Sequence, residues 1–560
     1  MTTFSHLLRE SYLKKPEQPA IHLLRAGQPD QALTYRQLID GAAGYAKSLA
    51  LAGIQPGEVV ILILQHSLEL MHAYYGTILH GAIPSIMPFL TEKLLPERYR
   101  ADLASLVSIT KPSAIITYPE FEPEVHAALK KGDSVRAVLV CNGVEAPCIP
   151  DFEKLGGMQR QPEDIVLLQH SSGTTGLQKG VALSHQAVVH QLEAYSQAIN
   201  LNEKDVIVSW LPLYHDMGLI AGFLMPILLG RPLVLMSPFD WVKAPYRLFH
   251  AVTHYHGTLS WLPNFAYNFC ATKTRDRDLV GVDLSSWRLI SNCSEPMRWS
   301  SHEAFYERFR FYGLKPTALG TCYAMAENVF AVTQGGAREP VRVDEIDRES
   351  FQVGRYAKPA VDGQPSLKML SAGKPIPQTE VRVVNENGDS LPDRSVGEIA
   401  LRSNCMLTGY YHRKDATDKA FIHGWYLTGD YGYMARGELY VVGRKKDLII
   451  VGGKNVYPQD LEALAMEVPG VHPGRVAAFG IFNDTSGTED VVIVAEVETD
   501  DPEQRQTISD GIRQAVTRGS AVALRNVYLV GKHWLVKTSS GKTARAANRE
   551  KYLNETSSTE

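Results

Sequence analysis

Asp164-Ile165-Val166-Leu167-Leu168-Gln169 leads through His170 into Ser171-Ser172-Gly173-Thr174-Thr175-Gly176-Leu177-Gln178-Lys179-Gly180, and this junction decides the fold. The apolar run reads as a buried strand, and the loop leaves its end, where open α/β sheets place their ligands. Glycines let backbone N–H groups turn inward around an anion, hydroxyls add donors, and Lys179 adds mobile positive charge. The stretch suits a polyphosphate. It is not a Walker loop: Gly180 rather than Ser or Thr follows Lys179, and the apolar run Val181 to Leu183 stands where a helix would begin. Glycines alone would equally make a surface turn, but four hydroxyls and a lysine among three glycines argue for the anion.

Outward from this junction, residues 31 to 320 alternate β-rich runs with helical patterns, the mark of parallel sheets flanked by helices. Val59 to Leu64, Ala114 to Thr117 and Ala137 to Val140 read as buried strands, and Leu68 to His80 as a helix. Gly335 to Ala372 is rich in Gly, Pro and charge with little periodicity, which predicts a long surface excursion. Glu380 to Val384 and Gly397 to Leu401 then begin a β-rich subdomain. After Gly443-Arg444-Lys445-Lys446-Asp447 a fresh βαβ pattern starts, with Leu448 to Val451, a helix from Pro458 to Met466, and Val491 to Val497. The fold class is therefore α/β: a large N-terminal domain of doubly wound sheets with a β-rich subdomain, and a small α+β C-terminal domain. The expected boundaries are 1–445 (subdomains about 1–170, 171–370 and 371–445) and 446–560. Thr556 to Glu560 reads as a polar, disordered tail.

A chain of 560 residues exceeds one ordinary core. With 44% apolar and 21% charged residues and a net charge of −4, it has the balance of an enzyme for small molecules, and no basic excess points to nucleic acid. Arg9 and Glu10 interrupt any signal-peptide core, and the longest apolar stretch, Gly218 to Gly230, is too short for a bilayer and contains Pro226. Six cysteines without a CxxC pair suit a reducing cytoplasm, not a disulfide framework or a zinc site, so the sequon at Asn554 is read as chance. His250, His254 and His256 lack neighbouring Cys or carboxylate ligands and read as structural.

Five further segments join the loop in one order: Trp210-Leu211-Pro212-Leu213-Tyr214-His215-Asp216-Met217-Gly218, Gly320-Thr321-Cys322-Tyr323-Ala324-Met325-Ala326-Glu327, Tyr426-Leu427-Thr428-Gly429-Asp430, Gly443-Arg444-Lys445-Lys446-Asp447 and Lys537-Thr538-Ser539-Ser540-Gly541-Lys542. The set resembles the adenylate-forming superfamily of acyl-CoA synthetases, nonribosomal adenylation domains and luciferases, over nearly the whole chain. Pro263-Asn264-Phe265-Ala266-Tyr267-Asn268-Phe269-Cys270, Asp283 to Arg288 and Asn292-Cys293-Ser294-Glu295-Pro296-Met297-Arg298 resemble the fatty acyl-AMP ligase branch. The excursion at about 335–372 resembles that branch's insertion, which restrains the mobile C-terminal lid and disfavours free coenzyme A.

The resemblance implies ATP and Mg²⁺ as cofactors, a fatty or related carboxylic acid as substrate, and the phosphopantetheine arm of an acyl carrier protein as acceptor. Activation joins two anions, the carboxylate and the α-phosphate, so neutralisation and alignment carry the chemistry. Ser172, Gly173, Thr174, Thr175, Gly176 and Lys179 are implied at the phosphates, Glu327 at Mg²⁺, and Tyr323 against adenine, with Ser294 beside the nucleotide. Asp430 would accept from both ribose hydroxyls, with Arg444 near the ribose and Lys446 at the hinge. Lys542 would be the main catalytic cation and His215 an orienting residue. His215, Phe265, Asn292, Cys293 and Ala324 are implied in the acyl pocket. Each has an ordinary reading too: a helix-terminal carboxylate for Glu327, a core tyrosine for Tyr323, a solvated face for Arg444 and Lys542, a core histidine for His215. His215 beside Asp216 on an extended run would face away from it, and no nucleophile-elbow serine is present.

Cys293 and Ala324 stand where the ligases usually have glycine, which narrows or reshapes the pockets, and Gln178 replaces a usual proline. Three alternatives are weighed. An acyl-CoA synthetase would share the first step, and the insertion argues against it. An amino-acid-activating domain would carry Asp where His215 stands. A non-catalytic binding homologue would not need Lys179, Glu327, Asp430 and Lys542 together.

Overall fold

The computed structural model describes residues 2–89, 96–170, 179–337, 339–452, 454–483, 487–520, 522–538 and 541–557. Ser172, Gly173, Thr174, Thr175 and Gly176 lie outside these.

Among the described residues, the largest sheet has nine strands, ordered Lys374–Pro375, Ala331–Gly335, Leu319–Ala324, Leu289–Asn292, Leu259–Leu262, Ile207–Ser209, Leu233–Met236, Pro19–Leu24, Gln31–Thr34. The six from Leu319–Ala324 to Pro19–Leu24 run parallel, and the flanking strands are antiparallel. Their Val-, Ile- and Leu-rich sequences are buried on both faces, as a parallel sheet covered by helices requires. From Ile207–Ser209 the chain goes first to Leu233–Met236 on one side, then to Leu259–Leu262 on the other. This reversal leaves a crevice at the carboxyl ends of these strands, the usual ligand position in open α/β sheets.

A second parallel sheet orders Ile83–Ile86, Val59–Ile63, Ala114–Thr117 and Ala137–Val140. The helix between its strands is Leu68–His80, as the periodicity predicts: Ser67 caps it and Gly81 ends it in the left-handed region. Ile165–His170, Gly180–Ser184 and Gly409–Tyr410 form a small antiparallel sheet that ties the flanks of the glycine-rich loop to a distant segment. The β-rich subdomain is antiparallel, built on Thr379–Val384, Gly397–Ser403, Trp425–Ala435 and Glu438–Arg444.

The excursion is more ordered than its composition predicts. Val343–Asp347 and Ser366–Leu370 pair antiparallel, with a helix, Arg348–Gly354, between them. Its organising residue is Asp344, buried and bonded by Arg394 Nη1 and Nη2 at 3.0 and 3.1 Å, Arg436 Nη2 at 3.2 Å and Tyr433 Oη at 3.0 Å. These partners lie in the β-rich subdomain, so periodicity within the excursion could not reveal them.

Beyond Arg444 a short 3₁₀ turn, Lys445–Asp447, leads into the C-terminal region, where the expected helix Pro458–Met466 forms. A long strand, Val471–Asn483, escaped the βαβ reading because Pro473-Gly474 interrupts it with a bulge. It pairs with Thr488–Val497, which pairs with Leu524–Val530, and the sheet carries separate cores on its faces around Ile493 and Phe479. The last helix, Arg545–Ser557, takes in Thr556 and Ser557 of the expected tail. No helix among the described residues is long and apolar enough to cross a membrane, and all six cysteines are free.

Candidate active site

Local sequence dictates the Asp430 corner. Gly429 holds φ +72°, a left-handed conformation that favours glycine. The Thr428 hydroxyl accepts the Asp430 N–H at 3.1 Å, while Gly429 N–H donates to Glu398 Oε1 at 3.1 Å. Asp430 then faces Arg444 across an antiparallel pair, with Arg444 Nε 3.4 Å from Oδ1. Tyr323, at the end of Leu319–Ala324, donates its hydroxyl to Asp430 Oδ2 at 2.6 Å. Two motifs distant in sequence thus meet on one carboxylate. Burial raises its pKa, against the pull of Arg444.

Glu327 lies in the turn Ala326–Asn328. Val329 follows at φ +63°, ψ −55°, with Phe330 N–H bonded to Asn328 O at 2.6 Å, a γ-turn centred on a β-branched residue. Such a conformation costs on the order of 1–3 kcal/mol and persists only where surrounding contacts impose it. Glu327 Oε1 accepts from Tyr410 Oη at 2.8 Å, and Tyr410 Oη lies 3.0 Å from Tyr426 Oη. The Lys179 ammonium sits 4.5 Å from the Tyr410 ring centroid. Tyr410 therefore joins the expected metal carboxylate to the expected phosphate cation. Sequence reasoning missed it, because its strand meets Val181 only through the nonlocal pairing with Gly180–Ser184.

His215 lies in a turn, with its N–H on Pro212 O at 3.2 Å, and not on the extended run the sequence suggested. A π-helix, Met217–Leu224, begins immediately afterwards, and Asp216 Oδ1 accepts the Met217 N–H at 2.8 Å. Gly218 permits this packing: a Cβ there would lie 2.3 Å from Pro212 O. Burial, and then the Lys542 charge, push the His215 imidazole down to about 3, so it stays neutral. Its Nε2 is buried without a hydrogen-bond partner among the described residues.

The expected acyl-pocket residues line the same strand ends. Phe265 follows Leu259–Leu262 and is 43% exposed. Its ring meets Trp210 and Trp241 edge-on, and those two indoles stack 3.6 Å apart at 4°. Asn292 and Cys293 are fully buried at the end of Leu289–Asn292, and Ala324 is half-buried. Asn292 Nδ2 donates to Asn264 Oδ1 at 3.0 Å. Cys293 continues the register that sets Asn292 beside Thr321, next to Cys322. Ser294 holds φ +70°, its hydroxyl 3.8 Å from Cys293 Sγ and 3.9 Å from Met217 Sδ.

From the C-terminal region, Lys542 stands at a hairpin closed by the Lys537–Thr543 bridge, with Thr538 N–H on Lys542 O at 2.9 Å. Its charge draws the Asp216, Glu295 and Asp430 carboxyls down against the burial that raises each of them. Lys542 thus reaches the site from another domain. Burial, then Arg444, lower the Lys446 pKa at the junction. His250 bonds Asp278 O at 2.9 Å, a structural contact.

The model of the AMP-binding enzyme family matches residues 8–411. The medium-chain-fatty-acid–[acyl-carrier-protein] ligase JamA of Moorena producens is 30% identical over 565 residues, covering 96% of this chain and 93% of JamA. The long-chain-fatty-acid–AMP ligase FadD26 of Mycobacterium marinum is 29% identical over 585 residues, covering 98% and 97%. A solved structure from work on fatty acyl-adenylate ligases of E. coli and L. pneumophila superimposes with a TM-score of 0.89 at 29% identity, covering 100% of this chain and 99% of that one.

Proposed function

The chain belongs to the AMP-binding enzyme family, among the fatty acyl-AMP ligases, and from that premise we propose its reaction. It activates a fatty or related carboxylic acid with ATP, then passes the acyl group to the phosphopantetheine thiol of an acyl carrier protein. A carboxylate oxygen attacks the α-phosphorus, the bond to the bridging oxygen breaks, and pyrophosphate leaves with the electron pair. The thiol sulfur later attacks the acyl carbon, AMP leaves, and the thiol proton goes to solvent.

The observation that carries this reading is Lys542, a lid residue whose charge is felt by His215, Asp216, Glu295 and Asp430 together. A fixed cation at the junction of acid and α-phosphate stabilises charge that moves in the transition state. Tyr323 offers a face for adenine, and its hydroxyl with Arg444 orients Asp430 toward the ribose. Ser294 lies beside the nucleotide, and neutral His215 offers Nε2 to the reacting carboxylate or phosphate. Ser172, Gly173, Thr174, Thr175, Gly176 and Lys179 hold the departing phosphates. Phe265, Asn292, Cys293 and Ala324 shape the acyl pocket, and Lys446 is the hinge.

Glu327 suits Mg²⁺: it offers a hard carboxylate oxygen, has no ion-pair partner among the described residues, and would hold the ion there. When bound, the ion would neutralise the phosphate oxygens and hold them in line.

The carrier protein is favoured over coenzyme A by the grip of the excursion on the lid. Arg355 Nη2 donates to Asn455 Oδ1 at 3.0 Å, Asn455 Nδ2 to Gln352 O at 3.2 Å, and Phe351 lies 5.6 Å from Tyr457. A restraint of a few kcal/mol would leave the thiol-transfer pose a minor population, which a carrier could recover with binding energy from its own surface. Pyrophosphate exchange over a panel of carboxylic acids, with products identified by mass, tests the first step. Offering the acyl-adenylate to coenzyme A and to a phosphopantetheinylated carrier tests the second. Vigorous acyl-CoA synthesis by the intact chain would overturn the choice of acceptor, and no exchange with any acid would overturn the reaction.

A further inference from the structure

Arg298 closes the segment Asn292-Cys293-Ser294-Glu295-Pro296-Met297-Arg298, and the chemistry above gives it no task. Its backbone belongs to the acyl-pocket wall. The Arg298 N–H donates to Asn264 Oδ1 at 3.1 Å, the oxygen that also takes Asn292 Nδ2 at 3.0 Å. Asn264 is held in turn, with its Nδ2 on Ser301 Oγ at 3.1 Å.

The guanidinium of Arg298 belongs elsewhere. Its Nη2 donates to the Gln459 carbonyl at 2.6 Å and lies 3.4 Å from Asp460 Oδ1, both in the first turn of the lid helix Pro458–Met466. The ion pair is half in water, with side chains 32% and 48% exposed, and contributes little by itself. The short charge-assisted bond to the carbonyl is the stronger and more directional contact. Gln459 is also held from the far side, its Nε2 on Val442 O at 2.6 Å, so the body grips this helical turn at two points. Both grips cross the Lys445–Asp447 turn, and rotation of the lid about that turn breaks both.

We propose that Arg298 is a positioning residue that latches the lid in the adenylate-forming pose and ties that pose to the acyl-pocket wall. The latch's hydrogen bonds are distinct from those of the excursion, which fall on Asn455, although the charge of Arg348 in the excursion also reaches Asp460. It rests on the functional reading above, because it predicts opposite effects on two half-reactions. Adenylation needs Lys542 in the site and loses when the latch is cut; thiol transfer needs the lid to leave and gains.

The test uses the full chain, with Arg298→Ala and Arg298→Lys, dodecanoate as the acid and pantetheine as the thiol. Arg298→Ala is expected to slow pyrophosphate exchange about tenfold, to speed pantetheine's consumption of preformed dodecanoyl-adenylate severalfold, and to quicken amide hydrogen exchange over residues 454–460. Arg298→Lys, which keeps a cationic donor, is expected to restore most of each value. A parallel fall in both half-reactions, or unchanged hydrogen exchange at 454–460, overturns the latch. If the wild-type chain makes no adenylate from dodecanoate or any other acid, the functional reading fails, and hydrogen exchange alone still decides whether Arg298 holds the lid.

Discussion

The body and the lid hold their functional groups in different ways. In the body, Tyr323, Asp430, Glu327 and Tyr410 are fixed to one another inside walls continuous with a core that runs from Phe4 to Leu439. The lid has cores of its own, around Ile493 and Phe479, and presents Lys542 on a hairpin. The groups proposed for the nucleotide are thus built into the larger piece. Lys542, the cation proposed for adenylation, is carried on the smaller C-terminal region. On the proposed function, that division would let a single crevice serve two reactions in turn.

Acid should separate the two regions most strongly. Burial pushes His66 and His302 down to about 4 and His185 to about 3, all in the body. The lid has no buried histidine among the described residues. Below the ordinary value of 6.5 the unfolded body takes up protons that the folded body refuses. The contribution of these histidines to body stability is therefore full above pH 6.5 and falls as pH drops toward 4. Calorimetric scans at pH 7 and 5 should show the body transition moving down further than the lid transition, and equal shifts would break the contrast.

On activity, Lys542→Ala should cut acyl-adenylate formation on the order of a hundredfold or more, with ATP affinity little changed, since this cation meets charge that reorganises in the transition state. Near-wild-type exchange rates would remove Lys542 from the site. Asp430→Asn should raise the KM for ATP roughly tenfold, the scale of one hydrogen bond to a charged group, and leave the KM for the acid unchanged. A change confined to the acid would move Asp430 out of the ribose site.

Cys293→Gly should be the gentlest change. Removing buried sulfur at the expected pocket wall should broaden or lengthen the accepted acyl chain by a graded amount, since apolar discrimination is about 1–3 kcal/mol per methylene. An unchanged chain-length profile from competition assays would show that Cys293 only packs against Cys322.

What the sequence disclosed depended on how local the cause was. The helix Leu68–His80 was legible because its period, its Ser67 cap and its Gly81 stop lie within a few residues. The corner at Thr428-Gly429-Asp430 was legible for the same reason. Tyr410 was hidden, because its partners Glu327 and Lys179 come from segments far off in the chain. The excursion read as irregular because Asp344 finds its arginines outside it. Val471–Asn483 was missed because a proline and a glycine inside the strand imitate a turn.

The stacked pair of Trp210 and Trp241 gives the body an optical property as well as a packing one. Two parallel indoles at van der Waals distance share their excited state and absorb as a coupled pair. Trp210 begins the segment that carries His215, and Phe265 meets both rings edge-on. Any displacement of Phe265 or of the Trp210 backbone by an incoming alkyl chain changes the overlap of the two indoles. The near-ultraviolet circular dichroism of the unlabelled protein should then record arrival of the acid, while Trp534, the lone tryptophan beyond the Lys445–Asp447 turn, records nothing.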